Sequence, residues 1–231
     1  MANQELADTL SDANVLLIAP QGQTDWRGPR SWSFPGKAIE NGRDDFAFVR
    51  RVVDDAQQHW PIDKTHLLAS GFSVGASMTW YIACRMPQQF AGFAPIAGAF
   101  WVPEPETCEG GPVNIRHVHG TDDGTVPMKG RILRNGTLRQ GDVMHGISTW
   151  RRINGCSEEP NDHTTSGELT CRTWRSGSCT SGRAVELCLH SGGHDYKAAW
   201  VLDGMRWLDR DVPVNAKSAM QPHGPVPAVV R

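Results

Sequence analysis

The chain has 231 residues, 39% of them hydrophobic and 21% charged, enough for one globular domain with a sizeable core. A formal net charge of −2 gives no electrostatic basis for binding nucleic acid or an anionic membrane surface. No apolar run approaches the roughly 20 residues needed to cross a bilayer, and residues 1–6 lack the basic start and long apolar stretch of a secretory signal.

In chain order, residues 3–10 read as the end of a polar helix. Residues 15–20, Val-Leu-Leu-Ile-Ala-Pro, are a short continuous apolar run, the pattern of a strand buried on both faces. Residues 21–41 are loop, with glycines, prolines, Trp26 and Trp32. Phe46, Phe48, Val49, Val52 and Val53 form an apolar stripe that predicts a helix over 43–59, stopped by Pro61. A second buried strand is expected over 65–70, then a helix over 74–86 that ends before Pro87. Residues 93–98 and 113–119 are two further strands. The spacing of Val143, Ile147, Trp150 and Ile153 predicts a helix over 141–154. Residues 168–174 and 183–190 read as a β-hairpin around a Ser/Gly/Cys loop, and 198–207 as a last helix. From 211 the chain is Pro-rich and aperiodic, and a disordered tail is expected over 211–231. Strands alternating with helices over 1–210 argue for one α/β domain built on a mainly parallel sheet.

Six cysteines stand at 84, 108, 156, 171, 179 and 188. The even number, with four inside a Gly/Ser/Thr-rich region, points to disulfides and an extracellular or periplasmic setting. Six reduced thiols in a cytosolic protein are the alternative. No pair has the spacing of a zinc site, so metal is not expected. The pairing is open at this level, with Cys84–Cys108, Cys156–Cys179 and Cys171–Cys188 the preferred set. The last would join two adjacent strands of the hairpin.

Three segments carry the chemistry. Gly71-Phe72-Ser73-Val74-Gly75 is a G-x-S-x-G pentapeptide between a strand and a helix, where a sharp turn would expose the serine hydroxyl and glycines would relieve the crowding. The helix after it would aim free N–H groups at developing negative charge. A serine hydroxyl needs a base, and the base an acid that orients it. Residues 119–127, His-Gly-Thr-Asp-Asp-Gly-Thr-Val-Pro, follow one strand, and residues 191–195, Ser-Gly-Gly-His-Asp, follow another.

With these motifs in this order, the sequence resembles the polyhydroxybutyrate depolymerase and feruloyl esterase group of α/β-hydrolases over about residues 14–208. The resemblance implies an α/β-hydrolase fold and a serine carboxylesterase acting, without cofactor, on a short polyester or on aryl or acyl esters. It assigns Ser73 as nucleophile, His194 as base and Asp123 as acid, with Asp122 as a turn residue, and the Val74 backbone N–H as an oxyanion donor. Trp32 and Trp101 are candidate cleft walls, with core packing as the alternative. His117 and His119 form an H-x-H pair whose geometry would allow a metal, but no acidic cluster completes it and a structural role is expected. The expected partner is an ester, small or oligomeric, with no nucleic acid, membrane or obligate protein partner.

Counted against that fold, residues 65–70 are its fifth strand and 15–20 its fourth. The third strand and a second oxyanion donor would then lie before Met1, leaving a slot in the sheet, and the chain is expected to be N-terminally truncated. Two other readings follow: a catalytically impaired hydrolase-like fragment or binding protein, and a serine peptidase of the same fold.

Overall fold

The computed structural model describes residues 4–24, 30–33, 35, 43–133 and 136–211. Its helices are α1 (Gln4–Asp12), α2 (Asp45–His59), α3 (Val74–Arg85), α4 (Val143–Ile153) and α5 (Ala198–Asp211). Its strands are β1 (Gln23–Thr24), β2 (Arg30–Ser31), β3 (Leu68–Phe72), β4 (Gly92–Ile96), β5 (Ile115–Gly120), β6 (Ile132–Leu133), β7 (Leu138–Arg139), β8 (Asp162–Ser166), β9 (Leu169–Trp174) and β10 (Val185–His190).

Six strands form one sheet in the order β3-β4-β5-β10-β9-β8. The first four run parallel, and β9 and β8 continue the sheet antiparallel. Side chains alternate across it, as the two-residue period of a strand requires. Phe93, Ile115, Val185 and Leu187 share a core with α2, α3 and α4, including the fully buried Trp80 and Trp150. Ile96, Val118, Cys171 and Cys188 meet Leu10 of α1 and Trp200 and Val201 of α5 on the other face. Helices therefore cover both faces, as parallel strands need.

Local signals fix the helix starts. Asp44 accepts from the Ala47 N–H at 2.9 Å to cap α2, and Asp142 accepts from the Met144 and His145 N–H groups to cap α4. Asp63 accepts from the Thr65 N–H and caps a 3₁₀ turn over Lys64–His66. That turn delays β3 to Leu68, three residues later than the apolar pattern indicates.

One expected strand does not form. Residues 15–20 join no ladder: Val15 and Leu17 pack on the α1/α5 side, while Leu16 and Ile18 are 54% and 38% exposed. An apolar run becomes a strand only by sharing backbone hydrogen bonds, and β3, the terminal strand of the described sheet, pairs only with β4. In the 21–41 loop, β1 and β2 pair as a short antiparallel ladder, and Trp26 lies outside the described residues. Conversely, β8 forms where the sequence pattern indicates no strand. Its sequence, Asp-His-Thr-Thr-Ser, is mostly exposed and carries no apolar alternation. The tail over 212–231 lies outside the described residues.

All six cysteines are paired, as Cys84–Cys108, Cys156–Cys179 and Cys171–Cys188. Cys171 and Cys188 are register partners on β9 and β10. Replacing both by alanine removes a cross-link between positions 17 residues apart. The expected loss is about 3 kcal/mol of stability, read as a lower midpoint in guanidinium unfolding.

Candidate active site

The sharpest backbone feature is the turn from β3 into α3. Ser73 sits at φ 57° and ψ −117°, a conformation that L residues seldom adopt, between the last residue of β3 and the first of α3. A Cβ on Gly71 would lie 2.5 Å from both the carbonyl carbon and the oxygen of Gly75, so Gly71 is demanded by space. A Cβ on Gly75 would meet nothing within 4 Å; its glycine is not required on that ground. The Ser73 N–H donates to Ile96 O at 3.0 Å and ties the turn to the end of β4. Gly98 allows the next approach, since a Cβ there would lie 2.8 Å from Ser73 O.

The same edge of the sheet holds the other two loops. Thr121 N–H donates to His190 O at 2.9 Å and Asp122 N–H to Gly192 O at 3.1 Å, joining the loop after β5 to the loop after β10. A Cβ on Gly120 would lie 2.2 Å from Gly193 O, so the two backbones touch.

Between these loops runs a continuous hydrogen-bonded chain. His194 Nε2 is 2.9 Å from Ser73 Oγ, and His194 Nδ1 is 2.7 Å from Asp123 Oδ2. The other oxygen of Asp123 accepts from the Thr125 and Val126 N–H groups, each at 2.8 Å. Asp123, not its neighbour Asp122, faces the imidazole. Its side chain is sealed from solvent while that of His194 is 18% exposed, so the relay opens outward at the serine end. The Phe72 ring lies 4.6 Å from the His194 ring, centroid to centroid, and Tyr196 packs on Phe72 behind it. No motif signals this ring contact: Phe72 fills a variable position of the pentapeptide. Val74 is the first residue of α3, so its N–H has no acceptor within the helix, and no side chain caps it.

The two tryptophans differ in their packing. Trp101 is 5% exposed, donates its Nε1–H to Ser77 Oγ at 3.3 Å and its backbone N–H to Tyr81 Oη at 3.0 Å. An indole so enclosed offers no cleft wall. Trp32 is half-buried, stacks on Phe48 of α2 with centroids 6.3 Å apart, and packs against the main core.

His117 and His119 lie in the core. His117 Nε2 is 2.9 Å from His119 Nδ1, and the outer nitrogens face Pro95 O at 3.0 Å and Val126 O at 2.8 Å. All four nitrogens thus face polar atoms of the protein. Among the described residues Cys171, Glu186 and Cys188 are the one group close enough to hold an ion, and both sulfurs are spent in a disulfide. Burial drives the affinity of His117 for a proton well below the ordinary value of 6.5, and lowers that of His119 as well.

Residues 16–140 match the family described as phospholipase/carboxylesterase. The chain belongs to that family. The probable feruloyl esterase C of Aspergillus clavatus is 25% identical over 190 residues, covering 81% of this chain and 59% of that protein. Feruloyl esterase B of Piromyces equi is 28% identical over 170 residues, covering 68% and 30% respectively. A bifunctional acetylxylan esterase/xylanase of Neocallimastix patriciarum is 25% identical over 217 residues, covering 85% and 28%. The chain thus spans between about a quarter and three fifths of these relatives. Arabidopsis thaliana SOBER1 superposes with a TM-score of 0.54 at 16% identity, covering 90% of this chain and 91% of that one. With the family match, this likeness establishes the α/β-hydrolase fold.

The buried histidines set an acid limit on stability. Unfolded, each takes a proton near pH 6.5; folded, each resists it, so the unfolded state binds more protons as pH falls. Their contribution is complete above that value and is lost as pH drops toward the lowered folded values. Urea midpoints from pH 8 to pH 5 are expected to fall below about 6.5, and less so in His117→Gln once its own lower starting stability is subtracted.

Proposed function

We propose that the chain is a serine carboxylic ester hydrolase. The observation that carries this reading is the hydrogen-bonded series Ser73–His194–Asp123, built across three loops at one edge of the parallel strands. Ser73 Oγ attacks the ester carbonyl carbon while His194 Nε2 takes its proton. The tetrahedral oxyanion is held by the Val74 N–H at the α3 N-terminus. Collapse expels the alcohol, which receives the proton from His194 and leaves an acyl-enzyme. Water, deprotonated by the same imidazole, then releases the acid and restores Ser73. Asp123 keeps the Nδ1–H tautomer in place and stabilises the imidazolium that forms.

The named relatives favour feruloyl esters and acetylated xylan among the possible substrates. The sequence resemblance adds short hydroxybutyrate oligomers to that set. No cofactor and no protein partner are part of the proposal. Three disulfides support an oxidising, extracytoplasmic setting.

The test is hydrolysis of p-nitrophenyl acetate and methyl ferulate, then acetylated xylan and hydroxybutyrate oligomers, by purified disulfide-bonded protein. Ser73→Ala is expected to lower kcat/KM by at least about 10⁴-fold. Asp123→Asn should cost about 10⁴-fold in kcat, and Asp122→Asn almost nothing. Equal rates from the folded wild type and Ser73→Ala would overturn the proposal in favour of a non-catalytic, binding role.

A further inference from the structure

The His117–His119 pair has no part in the chemistry above, yet it ends against the acid loop. His119 Nε2 faces two acceptors, Val126 O at 2.8 Å and Asp123 Oδ2 at 3.6 Å. Val126 also donates its N–H to Asp123 Oδ1. One residue is therefore clamped from both sides, its carbonyl by an imidazole and its amide by the carboxylate that faces His194.

Counting protons along the pair orders it. Three contacts link Pro95 O, His117, His119 and Val126 O, and both ends are acceptors only. Three N–H groups would satisfy them, but two neutral rings bring two. The nitrogen opposite two oxygens, one of them a buried carboxylate, has the strongest claim to a proton. His119 is then the Nε2–H tautomer, its bare Nδ1 accepts from His117 Nε2–H, and the deficit falls at Pro95, away from Asp123. A third proton would charge a site wholly buried and edged by Trp80, whose ring lies 5.1 Å from that of His117. The other groups around His119 are Asp123, His190 and His194. His190 Nδ1 accepts from the Gly192 N–H at 3.0 Å.

We propose that His119 is a positioning residue for the acid loop: held as the Nε2–H tautomer by His117, it pins the Val126 carbonyl and so keeps the Asp123 carboxylate aimed at His194. The proposal rests on the reading of Ser73, His194 and Asp123 as a catalytic relay. Without the clamp the loop closing on Val126 loses one of its two ties, and Asp123 Oδ2 drifts from His194 Nδ1. His194 is then less stabilised as an imidazolium, and its proton affinity falls.

The test compares wild type with His119→Gln, whose amide N–H can still reach Val126 O, and His119→Leu, which cannot donate. The leucine variant should lose about 10- to 100-fold in kcat on p-nitrophenyl acetate with little change in KM. The acid limb of its kcat/KM profile should move to lower pH, and His119→Gln should restore most of both. A uniform loss with an unmoved pH profile, or no rescue by glutamine, would overturn the proposal. Nitrogen-15 NMR of the histidines reads the same device without turnover. A neutral Nε2–H His119 at pH 7 and a lowered His194 titration in the variant support it. An Nδ1–H tautomer or an imidazolium at position 119 in wild type overturns it, and this measurement stands even if the leucine variant does not fold. Wild-type protein inactive on every ester would count against the catalytic reading, while the tautomer and titration would still decide the role of His119.

Discussion

At Gly120 a Cβ would stand 2.2 Å from Gly193 O; at Gly71 it would stand 2.5 Å from Gly75 O; at Gly98, 2.8 Å from Ser73 O. These three close approaches lie at the ends of β5, β3 and β4, where the parallel strands deliver their loops to one edge of the sheet. Everything proposed for this site depends on them. The relay from Ser73 to Asp123 uses side chains too short to bridge loops held apart by even one methyl group. Glycine is used here for proximity rather than for flexibility, because the backbones are hydrogen-bonded to one another at Thr121, Asp122 and Ser73.

The sheet behind the site is locked more tightly on its β10 side. Arg116 of β5 donates to Glu186 of β10 at 2.7 Å, and Thr173 of β9 donates to the other oxygen of the same carboxylate at 2.6 Å. These three residues are register partners, so the buried carboxylate reads the alignment of three strands at once. Such a pair is weak support for stability, because desolvating both charges costs much of what their attraction returns. Its clearer consequence is register: a one-residue slip would leave a buried charge unpaired. The Cys171–Cys188 bond ties β9 to β10 two rows further along. His190, at the end of β10, is thereby fixed before the base loop begins.

Burial also divides the histidines by task. His194 keeps a solvent-facing edge and meets a serine, as the proposed proton transfer requires. His117 and His119 are enclosed, facing each other and two carbonyl oxygens, and disfavoured as cations. The proposed reaction uses imidazole as a reagent in the first environment, and the second makes it a shaped donor and acceptor.

The sequence by itself indicated helices α1 to α5, strands β3, β4, β5, β9 and β10, an even number of cysteines, and three motifs that place Ser73, the Asp122-Asp123 pair and His194 just after strand ends. Those features are local: apolar periodicity, glycine-flanked turns, and polar residues placed just after strand ends. Tertiary structure decided the rest. Residues 15–20 have the apolar content of a strand but no ladder, because pairing depends on a neighbour and not on composition. β8 forms from Asp-His-Thr-Thr-Ser because β9 supplies the hydrogen bonds its polar residues could not announce. Trp101, legible only as an aromatic near the site, is drawn under α3 by its bonds to Ser77 and Tyr81. The choice of Asp123 over Asp122 as the partner of His194 likewise became geometry only when β5 and β10 were side by side. Which atoms meet across 71 residues of chain is set by packing, and no local pattern carries it.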